Sequence, residues 1–268
     1  MDEVRSFSEL TSEQQRLAGG KGGTLARLYQ AGYPVPEGFV LLPAAFAGDE
    51  MVEEAWAHVQ AHLDQIRSGS PDMALAVRSS ALGEDSAQAS FAGEFETLLN
   101  LSTEAEIRQA IHLVRRSHLN ERVQAYSQAR GISVEHEVAV VVQRMVRADI
   151  SGVVFTADPV TGSRAVMMGN YVHGLGDQLV AGEATGQAFT FERPGGRYQG
   201  PAELKRFAAR LYKLASRLEK ELGCPQDIEW AIVDGELYLL QSRPITTSIG
   251  YDPTTGAWND SLTGDYLW

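Results

Sequence analysis

The sequence predicts a fold of mixed class, α+β or α/β, and three observations lead to this expectation. The segment Pro201 to Leu222 has the pattern of a helix, with proline near its start and Gly223 directly after its end. Two strand-like segments, 226–233 and 237–242, flank Asp234-Gly235, which is a favoured hairpin turn. Further β-rich stretches lie among the helical patterns, so neither type of element forms the fold alone.

The other elements are predicted from apolar periodicity and from breaks at glycine and proline. In chain order we expect a loop with a glycine cluster and then a helix over 13–31, a strand over 39–42, a helix over 44–66, a strand over 74–77, a loop over 79–94, one or two helices over 103–130, strands over 138–146, 152–156 and 165–168, a loop over 174–186 and a strand over 188–191.

The composition argues against several classes of function. The 268-residue chain has 35 acidic and 23 basic residues and a formal net charge of -12, so we expect no nucleic-acid partner, because phosphate backbones select positive surfaces. Cys224 is the only cysteine, which excludes an internal disulfide and leads us to expect a cytoplasmic protein. The longest apolar stretch, Val138 to Val142, is too short to span a bilayer, so we expect no membrane partner.

A glycine cluster with one lysine, Gly19 to Thr24, precedes a predicted helix. Glycines let a backbone approach a ligand closely, a helix N-terminus favours anions, and Lys21 adds a full positive charge. The cluster is not a Walker A loop, because Gly22 follows the lysine where serine or threonine is required. The motif therefore indicates either an anion site or a flexible turn before a helix.

A second candidate is the arginine at the end of a predicted strand. Arg78 is followed by Ser79 and Ser80, and further small and hydroxyl residues, 90–93 and Thr97, lie downstream. Such a segment presents a guanidinium, hydroxyls and backbone amides that suit phosphate oxygens. The alternative is a surface arginine beside a serine-rich loop.

The C-terminal hairpin carries candidate metal ligands. Magnesium prefers oxygen ligands, and Glu229 with the amide oxygen of Gln241 could supply two of them. A two-residue turn would pair Glu229 with Leu240, whereas a three-residue turn over 234–236 pairs it with Gln241. We predict the three-residue turn, which also pairs Asp227 with Arg243. The alternative is an ordinary hairpin with a solvated charged face.

One further polar residue lies at the end of an apolar strand. Gln143 could contact an adenine edge or a ribose there, or it could belong to an exposed strand end.

Four runs of sequence together resemble the N-terminal ATP-binding part of phosphoenolpyruvate synthases, pyruvate phosphate dikinases and rifampicin phosphotransferases. They occur in the order of that family and cover most of residues 17 to 247. The runs are GGKGGTLARLYQAGYPVPEGFVL, LAVRSSALGEDSAQASFAGEFETLLNL, VVQRMVRADISGVVFTADPVTG and DIEWAIVDGELYLLQSRPIT.

The resemblance implies an α+β fold of the ATP-grasp kind, with two subdomains and a nucleotide cleft between them. It implies one nucleotide-binding domain over 1–247 and a linker or truncated C-terminal tail over 248–268. The residues that it implies for ATP binding are Lys21, Arg78, Gly93, Thr97, Gln143, Glu229, Gln241 and Arg243.

Within this set the resemblance implies different roles. Catalytic cations that hold phosphates are expected at Lys21, Arg78 and Arg243, and magnesium ligands at Glu229 and Gln241. These charges would offset the charge that moves during phosphoryl transfer. Gln143 is expected near the base or ribose, and 85–93 is expected to be a phosphate-covering loop.

The function implied by the resemblance is that of a dikinase-type phosphotransferase that uses ATP and Mg²⁺. In this family a histidine on a separate domain takes the β-phosphoryl group of ATP and passes it to a small-molecule acceptor such as pyruvate or rifampicin. The chain matches neither the phosphohistidine domain nor an acceptor-binding domain, so both are expected as partners. Two alternatives stay open, an ATP-grasp ligase that activates a carboxylate and a stand-alone ATP-sensing module.

Overall fold

The chain folds into two compact units, Met1–Val146 and Arg147–Trp268. The computed structural model describes residues 3–68, 70, 73–81, 85–86, 89–90, 97–116, 138–176, 185–245, 251–252 and 257–258. Each unit contains an antiparallel sheet together with helices, which confirms the predicted α+β class. None of the helices within the described ranges is long and apolar enough to cross a membrane.

The first unit is built on a five-stranded sheet in which every neighbouring pair is antiparallel. In chain order its elements are β1 (Val4–Ser6), α1 (Ser12–Leu17), α2 (Gly19–Gln30), β2 (Gly38–Leu41), a 3-10 turn (Pro43–Ala45), β3 (Phe46–Ala47), β4 (Glu50–Met51), α3 (Glu53–Ile66), β5 (Leu75–Ala81), β6 (Asp85–Ser86), β7 (Ala89–Ser90), β8 (Thr97–Leu101), α4 (Glu104–Arg116) and β9 (Val138–Arg144). The strands of the main sheet lie in the order β1-β2-β9-β5-β8.

Two helices of the first unit cover one face of this sheet. In α4 the buried residues Ile107, Ala110, Ile111 and Val114 follow the three-and-four spacing of an amphipathic helix. They join the apolar face of α3 and alternate residues of the strands in one core. Helix α2 covers the opposite face of the sheet. It lies so close to this face that a Cβ added at Gly22 would contact the side chain of Val141 in β9.

The predicted loop before α2 is wrong, because the glycine cluster is helical. Helix α1 ends at Leu17 and α2 begins at Gly19, after a single intervening residue. Gly19 has φ +73, and a Cβ there would lie 2.4 Å from the carbonyl oxygen of Ser80. A Cβ at Gly23 would lie 2.2 Å from the carbonyl oxygen of Gln15. The glycines therefore let two helices and a strand approach one another closely.

Other boundaries also differ from the prediction. The helix expected over 44–66 begins at Glu53, because Gly48, with φ +66, turns the chain into the β3–β4 hairpin. Residues Ser79–Ala81 belong to β5 rather than to a loop. Of the helical region expected over 103–130, the described part is α4, and the rest lies outside the described residues. Most residues of two predicted loops and of the predicted tail also lie outside them, in 82–96, 174–186 and 248–268.

Among its described residues, the second unit contains a six-stranded antiparallel sheet and one long helix. Its elements are β10 (Ile150–Phe155), β11 (Val166–His173), β12 (Gln187–Glu192), β13 (Arg197–Gln199), α5 (Lys205–Leu222), β14 (Gln226–Val233), β15 (Glu236–Pro244), β16 (Tyr251–Asp252) and β17 (Ala257–Trp258). The sheet has the order β13-β12-β11-β10-β14-β15, which makes β15 an edge strand.

Aromatic side chains and α5 form the core of the second unit on one face of its sheet. Trp230 of β14 lies edge-on to Phe189, with ring centroids 6.2 Å apart. Tyr212 of α5 contacts Phe191 on the same face, at 5.6 Å. Helix α5 starts four residues later than predicted. It is followed directly by Gly223, whose φ of +77 makes it a left-handed cap.

Candidate functional site

Three residues of the first unit that were predicted to bind ATP share one face of its sheet. Arg78 of β5 lies directly opposite Val141 of β9 and Thr97 of β8. Gln143 follows Val141 by two residues, so it points to the same side. We call this surface the Arg78 face; it is the face on which α2 packs. Gly93, also predicted for the site, lies outside the described residues.

A buried serine fixes the start of α2 on the Arg78 face. The Ser80 hydroxyl donates to the carbonyl oxygen of Ala18 at 2.6 Å and accepts the N–H of Gly22 at 2.9 Å. Ser80 was predicted as a possible phosphate contact. Its buried hydroxyl instead makes both of these hydrogen bonds to the backbone at the start of α2. Lys21 lies in the first turn of α2, so the position of its backbone is set by Ser80 and the neighbouring glycines.

Arg78 is a partly buried cation on the Arg78 face. Its side chain is half-buried, and its Nε is buried without a hydrogen-bond acceptor. A buried donor without an acceptor costs stability, and an anionic ligand would relieve that cost. Arg5, Arg67 and Arg115 also have a buried Nε without an acceptor, so this arrangement is compatible with both a ligand-binding and a structural role of Arg78.

Gln143 is buried, so the exposed strand end considered for it is wrong. Its exposed fraction is 3%, and its Nε2 donates to the carbonyl oxygen of Pro36 at 3.3 Å. It lies opposite Ala76 of β5 and Gly38 of β2. A buried amide held by one long bond to a backbone carbonyl is suited to hydrogen-bond a base or a ribose.

In the second unit, β14 and β15 form the predicted pairs. Glu229 lies opposite Gln241, and Asp227 lies opposite Arg243. These four residues occupy the face of the sheet away from Trp230 and α5. We call this surface the Glu229 face.

The predicted three-residue turn, however, is wrong. Val233 pairs with Glu236 across a two-residue turn, in which Asp234 and Gly235 have φ +49 and +79. Both residues are therefore left-handed, as a type I′ turn requires. The register shifts instead at a β-bulge beside Glu229, where Leu240 is the additional residue.

An ion pair on the Glu229 face joins Asp227 and Arg243, whose cross-strand pairing was predicted from the sequence. Arg243 Nε donates to Asp227 Oδ2 at 2.8 Å. Asp227 is 9% exposed, and burial raises its pKa although Arg243 opposes this shift. Its other oxygen, Oδ1, is buried and accepts no hydrogen bond.

The Glu229 face fits a magnesium ion that is bound together with phosphates. Glu229 offers a carboxylate and Gln241 an amide oxygen directly opposite it, while the unpartnered Oδ1 of Asp227 lies one pair further along. Within the described ranges no group of three His, Cys, Asp or Glu residues could hold a metal by itself. Magnesium commonly takes one or two carboxylates and completes its shell with water and phosphate oxygens.

A known family matches most of the chain. The family model described as "Pyruvate phosphate dikinase, AMP/ATP-binding domain" matches residues 42–206 and 199–255. This match includes every predicted site residue except Lys21.

Several curated proteins are similar to almost the whole chain. The probable phosphoenolpyruvate synthase of Methanothermobacter thermautotrophicus is 32% identical over 91% of this chain and 46% of its own length. The rifampicin phosphotransferase of Bacillus cereus is 30% identical over 91% of this chain and 36% of its own length. The prodigiosin synthesizing transferase PigC of Serratia marcescens is 31% identical over 91% of the chain and 33% of its own length. The chain thus spans less than half the length of these relatives.

Two solved structures illustrate more distant likenesses. D-alanyl-alanine synthetase A from Vibrio cholerae is similar over 89% of this chain and 59% of its own, with 11% identity and a TM-score of 0.45. Cdc123 from Schizosaccharomyces pombe is similar over 94% of this chain and 90% of its own, with 14% identity and a TM-score of 0.45. The conclusions below rest on the family match.

Proposed function

Because the chain belongs to the pyruvate phosphate dikinase AMP/ATP-binding domain family, we propose that it is the ATP-binding part of a dikinase-type phosphotransferase. The observation that carries the proposal is the register of β14 and β15. The bulge at Leu240 sets a carboxylate, an amide oxygen and a guanidinium side by side on the Glu229 face. These groups match the needs of a metal–nucleotide complex.

The first unit supplies positive charge to the phosphates in this proposal. Lys21 and Arg78 bind phosphate oxygens, and the hydroxyl of Thr97, directly opposite Arg78, is placed to join them. Gln143 hydrogen-bonds the base or the ribose. Its burial in the sheet supports a fixed orientation for this contact.

The second unit supplies the metal ligands in this proposal. Glu229 and Gln241 would hold Mg²⁺, which when bound neutralises phosphate charge. Arg243 binds a phosphate, and its ion pair with Asp227 restricts the orientation of the guanidinium. Fixed cations of this kind stabilise the charge that develops on the transferring phosphoryl group without reorganising during the reaction.

The reaction in this proposal needs a histidine from a separate domain. Its ring nitrogen forms a bond to the β-phosphorus of ATP, and the bond from that phosphorus to the α-phosphate oxygen breaks. AMP leaves, and water then cleaves the bond between the γ-phosphorus and the oxygen that bridges it to the β-phosphorus, which releases inorganic phosphate. The remaining phosphohistidine delivers its group to a small-molecule acceptor. The names of the relatives suggest pyruvate or rifampicin as the kind of acceptor.

Isothermal titration calorimetry with ATP tests the binding part of the proposal. The parent chain should bind Mg-ATP, and Glu229→Gln should weaken that binding by about 10-fold or more, since a charged ligand to the metal is lost. Glu236→Gln is the matched control in the same hairpin, because Glu236 forms an exposed ion pair with Arg210 at 2.9 Å. Equal affinities for the parent and both variants would contradict the site assignment.

A second experiment separates the reaction classes. The chain is mixed with a phosphohistidine domain of a family member and with ATP labelled at the β-phosphorus. Label on histidine together with AMP supports the dikinase reaction. ADP formed with a carboxylic acid would instead identify a ligase, and binding without turnover would identify an ATP-sensing module.

A further inference from the structure

Four residues form one row across the Glu229 face of the second unit. Glu229 of β14 lies opposite Gln241 of β15 on one side and opposite Val153 of β10 on the other. Val153 in turn lies opposite Asn170 of β11. Since directly opposed residues point to the same side of a sheet, the row runs from the proposed metal ligands across Val153 to Asn170.

The row can continue in only one direction from the metal ligands. Among the described residues β15 is the edge strand of this sheet, so the described row continues from Gln241 only towards β10. One phosphate bound to the metal is assigned to Arg243, further along the hairpin. A second phosphate that extends from the metal across the strands would lie above Val153. Val153 is half-buried and apolar, so it contributes neither charge nor a hydrogen bond.

Asn170 is the next polar group beyond this apolar residue. Its side chain is half-buried. The side-chain amide makes no hydrogen bond with any other residue in the described part of the chain. Its other cross-strand neighbour, Ala188, has no polar side chain to bind it. An amide in the interior of a sheet that contacts no protein partner is available to a ligand.

The spacing decides what Asn170 can reach. Two strand spacings separate it from Glu229, which corresponds to about 10 Å between the backbones. Magnesium–oxygen distances are about 2 Å, so a single ion cannot be bound by both Glu229 and Asn170. A phosphoryl group placed above Val153 would span the interval. We propose that the Asn170 side-chain amide donates a hydrogen bond to a terminal phosphoryl oxygen of the bound ATP, an inference that rests on the proposed function.

Nucleotide titrations of two variants test this inference. Asn170→Ala removes the donor and should weaken binding of Mg-ATP by about 10-fold, while binding of AMP, which lacks the terminal phosphates, stays within about 2-fold of the parent. Asn170→Asp keeps the shape but faces the phosphates with a negative charge. It should weaken Mg-ATP binding more than the alanine variant does, again with AMP unaffected.

The matched control places the same charge one strand further from the metal ligands. Ala188 is exposed and lies directly opposite Asn170, so Ala188→Asp should change ATP affinity by less than about 2-fold. Unchanged ATP affinity in Asn170→Ala, with the parent binding Mg-ATP, would overturn this inference alone. Equal losses for AMP and ATP would overturn it too, because they would place Asn170 at the base or ribose. A parent that binds no nucleotide would overturn the proposed function as well.

Discussion

Arg78→Met should raise or preserve the stability of the chain while it lowers its affinity for ATP. Methionine keeps an unbranched apolar stem and removes the guanidinium. In the parent, Nε of Arg78 is buried without an acceptor, on a half-buried side chain. The substitution therefore removes an unfavourable feature of the ligand-free protein and a favourable contact of the complex.

The magnitudes follow from these two states. An unsatisfied buried donor costs about 1–3 kcal/mol, part of which the half-exposed side chain recovers from water. We expect the free energy of unfolding of Arg78→Met to equal that of the parent or to exceed it by about 1 kcal/mol. A charged hydrogen bond to phosphate is worth about 1.5–3 kcal/mol, so the Kd for Mg-ATP should rise about 10- to 100-fold.

A second arginine of the same unit provides the control. Arg115 is buried, donates to the carbonyl oxygens of Val138 and Gly48, and lies 4.7 Å above the ring of Phe46. Arg115→Met strands two carbonyl groups, so it should lower the free energy of unfolding by about 3 kcal/mol. The ATP affinity of its folded fraction should be unchanged.

Urea denaturation and calorimetric titration measure the two quantities in all three proteins. The reasoning is refuted if Arg78→Met loses more than about 1 kcal/mol of stability while its Kd for Mg-ATP stays that of the parent. Arg78 would then be a structural residue like Arg115.

Three further predictions concern packing, pH and metal dependence. Gly19→Ala should lower the free energy of unfolding by about 3 kcal/mol, because its Cβ would meet the Ser80 carbonyl oxygen at 2.4 Å at a φ of +73. Gly32→Ala, which has φ +76 in open space, should cost only about 1 kcal/mol in the same urea titration, and equal losses would show that the close approach is unimportant. Backbone hydrogen bonds from Thr103 and Ser102 lower the pKa of Glu106 to about 2, so its contribution to stability is complete above about pH 4.5 and is lost as the pH falls towards 2. Glu106→Gln should remove this part of the acid sensitivity in unfolding curves between pH 5 and 2, and identical pH profiles would contradict the capping role. Glu229→Gln should leave the Kd for ATP in the absence of magnesium within about 2-fold of that of the parent. It should remove most of the gain in ATP affinity that the parent shows when magnesium is added, and an undiminished gain would exclude Glu229 as a metal ligand.

The sequence predicted which residues of the hairpin face each other, although it assigned the wrong cause. The pairing of Glu229 with Gln241 followed from matching polar residues to one face, and that pairing is present. A one-residue shift in the pairing register of β14 and β15 can come from the turn or from a bulge. The dipeptide Asp234-Gly235 favours the two-residue turn, so the shift had to come from a bulge. The bulge at Leu240 has no comparable sequence signature, so it could not be placed in advance.

The glycine cluster shows where local patterns fail. Glycines are unfavourable in helices, so Gly19 to Gly23 indicated a loop. Tertiary contacts overrode this preference, because only residues without a Cβ allow α2 to lie this close to Ser80 and to α1. A single sequence does not reveal which strand such a helix will contact.

The family resemblance stated from the four motifs is confirmed by the family match, and the predicted α+β class is confirmed by the sheets and helices of the two units. The resemblance named residues but not the contacts that hold them. The bond between Asp227 and Arg243 depends on side-chain packing, which periodicity does not specify.

The most direct test of the account is a crystal structure of the chain with magnesium and a non-hydrolysable ATP analogue. The expected result is a magnesium ion on Glu229 and Gln241 with a phosphate of the analogue bound to Arg243. A bound analogue with Glu229 and Gln241 contacting neither phosphate nor metal would contradict the assignment.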